Sequence, residues 1–185
     1  MFTPVQPEGP FYPTHLLQND SDLVNKIGAQ TRALGEIIDV EGTVTDQNIK
    51  VISGVLVEIW QACHSGRYHH PNDSNSAELD PNFQYWGKAI TNEKGYYKFR
   101  TIIPGVYPAD IGWNRPPHIH FKISKNGYVE LITQMYFEGH ELNEKDQILQ
   151  RLPRIEQDKL IVRLRPVPND DNLRKCCFDI SITEL

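Results

Sequence analysis

The sequence predicts an all-β protein: an antiparallel β-sandwich with a proline-rich N-terminal arm and one or two short helices. Three observations carry that prediction. Seven or eight short runs are rich in β-branched and aromatic residues, several with period-two alternation. Turn-forming residues punctuate the chain between them. The 185 residues suit one core, and no repeat, low-complexity tract or linker divides them. We therefore expect a single unit over residues 1–185, with the arm and a short helix in 1–35 and the sandwich core in 36–185.

Pro4, Pro7, Pro10 and Pro13 forbid a regular helix at the start and favour an extended arm lying on the body, where it can close a pocket. A short helix is expected over about 20–30, capped by Asp20 or Ser21, with Leu23, Val24 and Ile27 as its apolar stripe. Residues 36–44 and 55–60 then read as strands. Asn92-Glu93-Lys94-Gly95 is a turn signal before the alternating run 96–102, and Pro104-Gly105 punctuates the next connection. Runs 118–124 and 130–137 flank Lys125-Asn126-Gly127, a strong hairpin signal. A helix over 143–152 should stop at Pro153, and strands at about 160–164 and 178–182 complete the sandwich.

Nineteen lysines and arginines against 24 acids leave a net charge of −5, which offers phosphate backbones and anionic lipid no general attraction. Nucleic acid and membrane are not expected partners. Cys63, Cys176 and Cys177 cannot all pair within the chain and show no C-x-x-C spacing, which suits reduced thiols in a cytoplasm and argues against a thiolate zinc site. No basic patch with an apolar run opens the chain, and no apolar stretch approaches the roughly 20 residues that span a bilayer. The Asn72-Asp73-Ser74 sequon is then a chance match, and phosphate-loop, G-x-S-x-G and H-E-x-x-H patterns are absent.

The sharpest local feature is Arg115-Pro116-Pro117-His118-Ile119-His120-Phe121. Residues two apart on a strand share a face, so both imidazoles can address one metal, although an isolated His-x-His equally suits two hydrogen-bonded surface histidines. Two further segments converge with it. Gly66-Arg67-Tyr68-His69-His70 leaves the end of a strand, and prolines at both ends of Pro104-Gly105-Val106-Tyr107-Pro108 help to aim its phenol. A phenol binds well only to a strongly polarising cation, so Tyr68 and Tyr107 with His118 and His120 point to iron(III), while either tyrosine alone suits a half-buried core position. His69 and His70 are read as solvated or supporting residues, and His15, His64 and His140 as structural or surface ones.

These segments, with Glu8-Gly9-Pro10-Phe11-Tyr12-Pro13, Val57–Ala62, Asp80–Phe83, Gly95–Ile102 and Thr133–Gly139, resemble the intradiol ring-cleaving dioxygenases in chain order up to about residue 150. Within that family the chain resembles the protocatechuate 3,4-dioxygenase branch, because Glu-Gly-Pro-Phe-Tyr begins at residue 8 with no helical domain before it, and it resembles that branch's catalytic, beta-type subunit because it keeps all four residues that match the ligands. The resemblance implies a ferric site ligated by Tyr68, Tyr107, His118 and His120. Tyr107 matches the ligand that leaves when substrate binds, with His118 as the other axial ligand. Arg115 matches a residue that stabilises negative charge on the bound catecholate, and Gln134 a glutamine of the same pocket. The implied reaction is intradiol cleavage of a catecholic ring with O2 in aromatic catabolism, from protocatechuate to 3-carboxy-cis,cis-muconate, with catechol or hydroxyquinol as alternatives. The implied assembly is a homo-oligomer or a hetero-oligomer with a related subunit. The stretch 109–114 departs from the family's tryptophan-rich pattern, which bears on pocket shape.

By charge alone, Lys125 or Arg67 is a candidate to meet a substrate carboxylate. Two other readings fit part of the pattern: a metal-free β-sandwich binding or subunit module, and a ferrous triad of His118 and His120 with Glu130 or Glu138. Neither accounts for the tyrosines.

Overall fold

The computed structural model describes residues 2–14 and 20–185. Its core strands are β1 (Ile37–Thr45), β2 (Leu56–Trp60), β3 (Trp86–Ile90) and β4 (Tyr96–Ile102). A short hairpin, β5 (Tyr107–Asp110) with β6 (Trp113–Arg115), precedes β7 (His118–Ser124) and β8 (Leu131–Phe137). A seven-residue helix α1 (Arg154–Leu160) and the strands β9 (Ile161–Val162), β10 (Arg165–Val167), β11 (Asp170–Cys177) and β12 (Ile180–Ser181) complete the chain. One sheet runs β10-β11-β1-β12 with β4 also on β1, and the other runs β3-β2-β7-β8-β9.

The all-β sandwich is as the sequence predicts. Most ladders are antiparallel, but β1 pairs in parallel with β11 and β12, and β8 with β9, so both sheets are mixed. Five strands escaped the sequence reading. Trp86-Gly87-Lys88-Ala89-Ile90 contains poor strand formers, and Asp170–Cys177 opens on charged residues that tertiary pairing with β1 overrides.

Alternation sorts the second sheet cleanly. Ile119, Phe121 and Ile123 of β7 enter the main core with Val57 and Ile59 of β2 and Met135 of β8. Their neighbours His118, His120, Trp60 and Gln134 take the opposite face. Residues of the arm cover that face. Gln134 Nε2 donates to Pro7 O at 2.8 Å and Gln6 N–H bonds the Ile132 carbonyl, while on the other side of β8 Thr133 Oγ1 donates to Pro4 O at 2.7 Å.

Residues 20–30 form no helix. Their backbone is spent elsewhere: Leu23 N–H on Arg100 O, Ser21 O on Arg100 N–H, Leu23 O on Gln84 N–H and Asp20 O on Lys88 N–H. The Asp22 carboxylate takes the Val24 and Asn25 amides. The segment thus laces β3 to β4, burying Leu23 and Val24 and leaving Ile27 75% exposed. The helix expected over 143–152 is also replaced, by two 3-10 turns at Glu141–Lys145 and Leu149–Arg151. Between them the Asp146 side chain accepts the amides of Ile148 and Leu149, and Pro153 caps α1 in place of ending a helix. Among the described residues no helix is long and apolar enough to cross a membrane, and the three cysteines are free.

On the outer face of the first sheet, Asp39 meets Lys98 at 2.8 Å and Arg100 at 2.9 Å. Burial raises its pKa, but those two cations outweigh it and hold the carboxyl below its ordinary value. The folded protein therefore binds this proton less readily than the unfolded chain, so the stabilisation is full above pH about 4 and is lost as pH falls through the depressed value. Because both cations are well exposed, Asp39→Asn is expected to cost only about 1 kcal/mol at pH 7. In urea unfolding, that gap should close as the pH is lowered below about 4; a pH-independent gap would refute the ion-pair account.

Candidate functional site

The site lies on the outer face of the second sheet, under the arm. Cross-strand register builds it: His120 sits opposite Trp60 on one side and Gln134 on the other, and His118 sits opposite Tyr136. The β5–β6 hairpin sets Tyr107 opposite Arg115, two prolines before His118. A second apolar cluster of Phe11, Trp60, Ala62, Tyr68 and Trp86, with Tyr12 and Tyr107 against it, replaces the solvent that such a face would ordinarily meet.

The two tyrosine segments are held together through backbone. The Cys63 carbonyl accepts the amides of both Gly66 and Gly105, and the Cys63 amide bonds Arg67 O. A Cβ on Gly105 would lie 2.4 Å from both Gly66 N and His64 O, and one on Gly66 would lie 2.0 Å from Val106 O. Only glycines permit this approach. Asp73 fixes the next residue, accepting the Tyr68 amide at 2.6 Å.

His118 Nδ1 lies 2.7 Å from Pro116 O, and a carbonyl only accepts, so this nitrogen carries the proton. The Nε2 lone pair then receives Tyr68 O–H at 3.2 Å and Arg115 Nη1–H at 3.1 Å. His120 stacks on Trp60 with ring centroids 4.8 Å apart and lies 5.0 Å from the His118 ring. Tyr107 meets Tyr68 edge-on at 5.6 Å, and Phe11 packs on both, at 4.8 Å from Tyr68 and 5.5 Å from Tyr107. His120 Nδ1 is buried with no protein partner.

Burial, reinforced by the positive charge of Arg115, pushes both imidazoles well below their usual pKa, so both are neutral near pH 7. Burial raises both phenols while Arg115 works the other way, so both are protonated until something displaces the proton. The result is four uncharged donors around a single guanidinium.

All six residues singled out in the sequence, Tyr68, Tyr107, Arg115, His118, His120 and Gln134, assemble on this face. Arg115 Nη2 donates to Gln134 Oε1 at 2.8 Å and to Tyr136 Oη at 2.9 Å. Lys125 does not join them: it follows β7 at the end away from His118, with Nζ 3.4 Å from Gly54 O. Arg67 does lie nearby, lining a cavity of about 440 Å³ with Pro13, Tyr68, His69 and His70. Glu130 pairs with Lys122, and Glu138 with Arg163 on the exposed surface, so neither completes a triad with the histidines. Among the described residues no group of three or more His, Cys, Asp or Glu could hold a metal; the converging set here contains two phenols. His140 caps a 3-10 turn, His64 is exposed, and His15 lies outside the described residues. Sequence reasoning missed Asp146 and Tyr136 as partners of Arg115. Asp146 was hidden inside an expected helix, and Tyr136 in a run quoted only for resemblance.

Gly105→Ala should force the two tyrosine segments apart, at a cost of about 2 kcal/mol or more in urea unfolding. A change under about 0.5 kcal/mol would show that the contact is not restrictive.

The family model described as Dioxygenase matches residues 7–184. The chain is similar to a protocatechuate 3,4-dioxygenase beta chain from Burkholderia cepacia, 43% identical over 147 residues that make up 78% of this chain and 63% of that one. A catechol 1,2-dioxygenase from Candida albicans is 30% identical over 179 residues, 89% of this chain and 53% of that one. The chain thus spans less than two thirds of either relative. Among solved structures, an intradiol ring-cleavage dioxygenase from Tetranychus urticae has a TM-score of 0.78 at 25% identity, with 100% of this chain and 96% of that one covered. The match that runs from the arm to the last strand, over the same segments that build the buried face, makes this chain a member of the intradiol ring-cleavage dioxygenase family.

Proposed function

We propose that the protein cleaves an ortho-diphenol between its two hydroxylated carbons with O2, using iron(III) held by Tyr68, Tyr107, His118 and His120. The observation that carries this reading is the convergence of two phenols and two neutral imidazoles on one buried face, with Tyr68 Oη 3.2 Å from the lone pair of His118 Nε2. The donor set fits the ion: hard oxygens and imidazoles suit a ferric centre, and the Pro116 carbonyl fixes the tautomer and orientation of His118, as a carbonyl behind a metal-binding histidine does. Bound there, the ion would chelate both diphenol oxygens and make the ring electron-rich toward O2.

The chain's own groups supply the rest. Tyr107, half-buried on its hairpin, is the freer phenol; once ionised by a bound cation, its oxygen would take a proton from the incoming diphenol. Tyr68, fully buried and held by Asp73, keeps its place. Arg115 Nη1 presents a permanent positive charge beside His118, where the ring gains negative charge. Phe11 and Trp60 exclude water. Both oxygen atoms enter the product as the C–C bond breaks, giving a cis,cis-diene dicarboxylate, so no external reductant is consumed.

For the substrate we propose protocatechuate, supported by the similarity to a beta chain of that enzyme and by Arg67, whose buried Nε has no protein partner beside the cavity at Tyr68. Its carboxylate would meet Arg67.

Purified protein loaded with iron(III) should bind about one ion per chain, release protons as the phenols ionise, and show a broad visible phenolate band. Anaerobic protocatechuate should shift that band. A protein that stays colourless after iron(III) loading would overturn the four-ligand site. Arg67→Met should raise KM for protocatechuate about tenfold or more and leave catechol unchanged; equal affinity for protocatechuate would remove Arg67 from the reading.

A further inference from the structure

Arg115 is buried, and each nitrogen of its guanidinium is bonded. Nε donates to Asp146 Oδ2 at 2.9 Å, and Nη2 reaches Asp146 Oδ1 at 3.3 Å, Gln134 Oε1 at 2.8 Å and Tyr136 Oη at 2.9 Å. Only Nη1 is turned the other way, onto His118 Nε2 at 3.1 Å. Asp146 is 0% exposed. Its Oδ1 also accepts the amides of Ile148 and Leu149 at 3.1 and 2.8 Å, so the carboxylate is itself fixed by backbone.

We infer that Asp146 is the positioning residue for Arg115: by gripping the Nε–Nη2 edge of the planar guanidinium, it aims the Nη1 edge at the reacting ring. This rests on the dioxygenase reading above. The physics is geometric as much as electrostatic. A guanidinium is a rigid fork, so two contacts on one edge fix the direction of the other. With its carboxylate removed, the arginine would keep Nη2 on Gln134 and Tyr136 and Nη1 on His118 but would have nothing on Nε to fix the plane of the fork. Gln6 extends the same network from the arm, because Tyr136 Oη lies 3.2 Å from Gln6 Oε1. The position that places the charge is therefore a loop residue outside every motif of the site.

Asp146→Asn preserves volume and one acceptor oxygen but loses the charge and the two-point grip. In iron-loaded protein it should lower kcat about 10- to 100-fold with little change in KM, because the diphenol is bound through its oxygens and the misaimed charge matters in the transition state. Iron content and the visible band should be unchanged. Adding Asp146→Asn to Arg115→Lys should cost nothing further in kcat, since one residue acts through the other. Additive losses, or a loss in KM alone, would overturn the proposal.

A second readout needs neither variant nor metal. In the metal-free wild-type protein the Arg115 Nε–H proton should resonate downfield of exposed arginines and exchange at least about tenfold more slowly. An exposed-type, fast-exchanging signal would overturn the positioning role even if Asp146→Asn failed to fold. Should the loaded wild-type protein cleave neither protocatechuate nor catechol, the dioxygenase reading falls, and the Nε–H signal alone decides whether Asp146 grips Arg115.

Discussion

The period of two along β7 is the constraint from which the site follows. Ile119, Phe121 and Ile123 must enter the sandwich core, so His118 and His120 must project from the other side of the same sheet. In an ordinary sandwich that side faces water. Here it carries neutral imidazoles and a buried guanidinium, and these need cover, which residues 2–14 provide. The prolines of the arm keep it extended, and its carbonyls, free of any helix, are spent on the side chains of Thr133 and Gln134.

Covering polar groups costs free energy unless they are paired, and the pairing is selective. Arg115 is fully engaged by Asp146, Gln134, Tyr136 and His118, and the imidazoles respond by giving up their charge to burial and to that arginine. His120 Nδ1, by contrast, is left without a protein partner, as are the indole nitrogens of Trp60 and Trp86 in the cluster beside it. A face arranged in this way holds uncharged nitrogen and oxygen donors side by side under cover.

The tyrosines reach this face from loops, and loops are precise only when something clamps them. The clamp is a backbone contact: Cys63 O receives two amides, and Gly66 and Gly105 touch where no side chain would fit. The outer face of the first sheet shows the ordinary alternative, with Asp39 held between Lys98 and Arg100 where water still reaches the cations. The two outer faces of one sandwich thus serve different ends.

The chain itself determined the all-β class, the main strands and the extended arm, because alternation and proline are local signals that survive folding; His-x-His spacing singled out His118 and His120, whereas Arg115 and Gln134 came only from resemblance to a family. The tertiary structure alone decided what residues 20–30 do: their amides find better partners on β3 and β4 than a helix would offer, although Leu23 and Val24 are buried as their apolar character requires. It also decided that Asp146 breaks an expected helix to meet Arg115, and that Lys125 ends far along β7 while Arg67 faces the cavity. Charge in a sequence has no direction. Which cation meets which acid depends on strand register and loop closure, and those are set by contacts between residues distant in the chain.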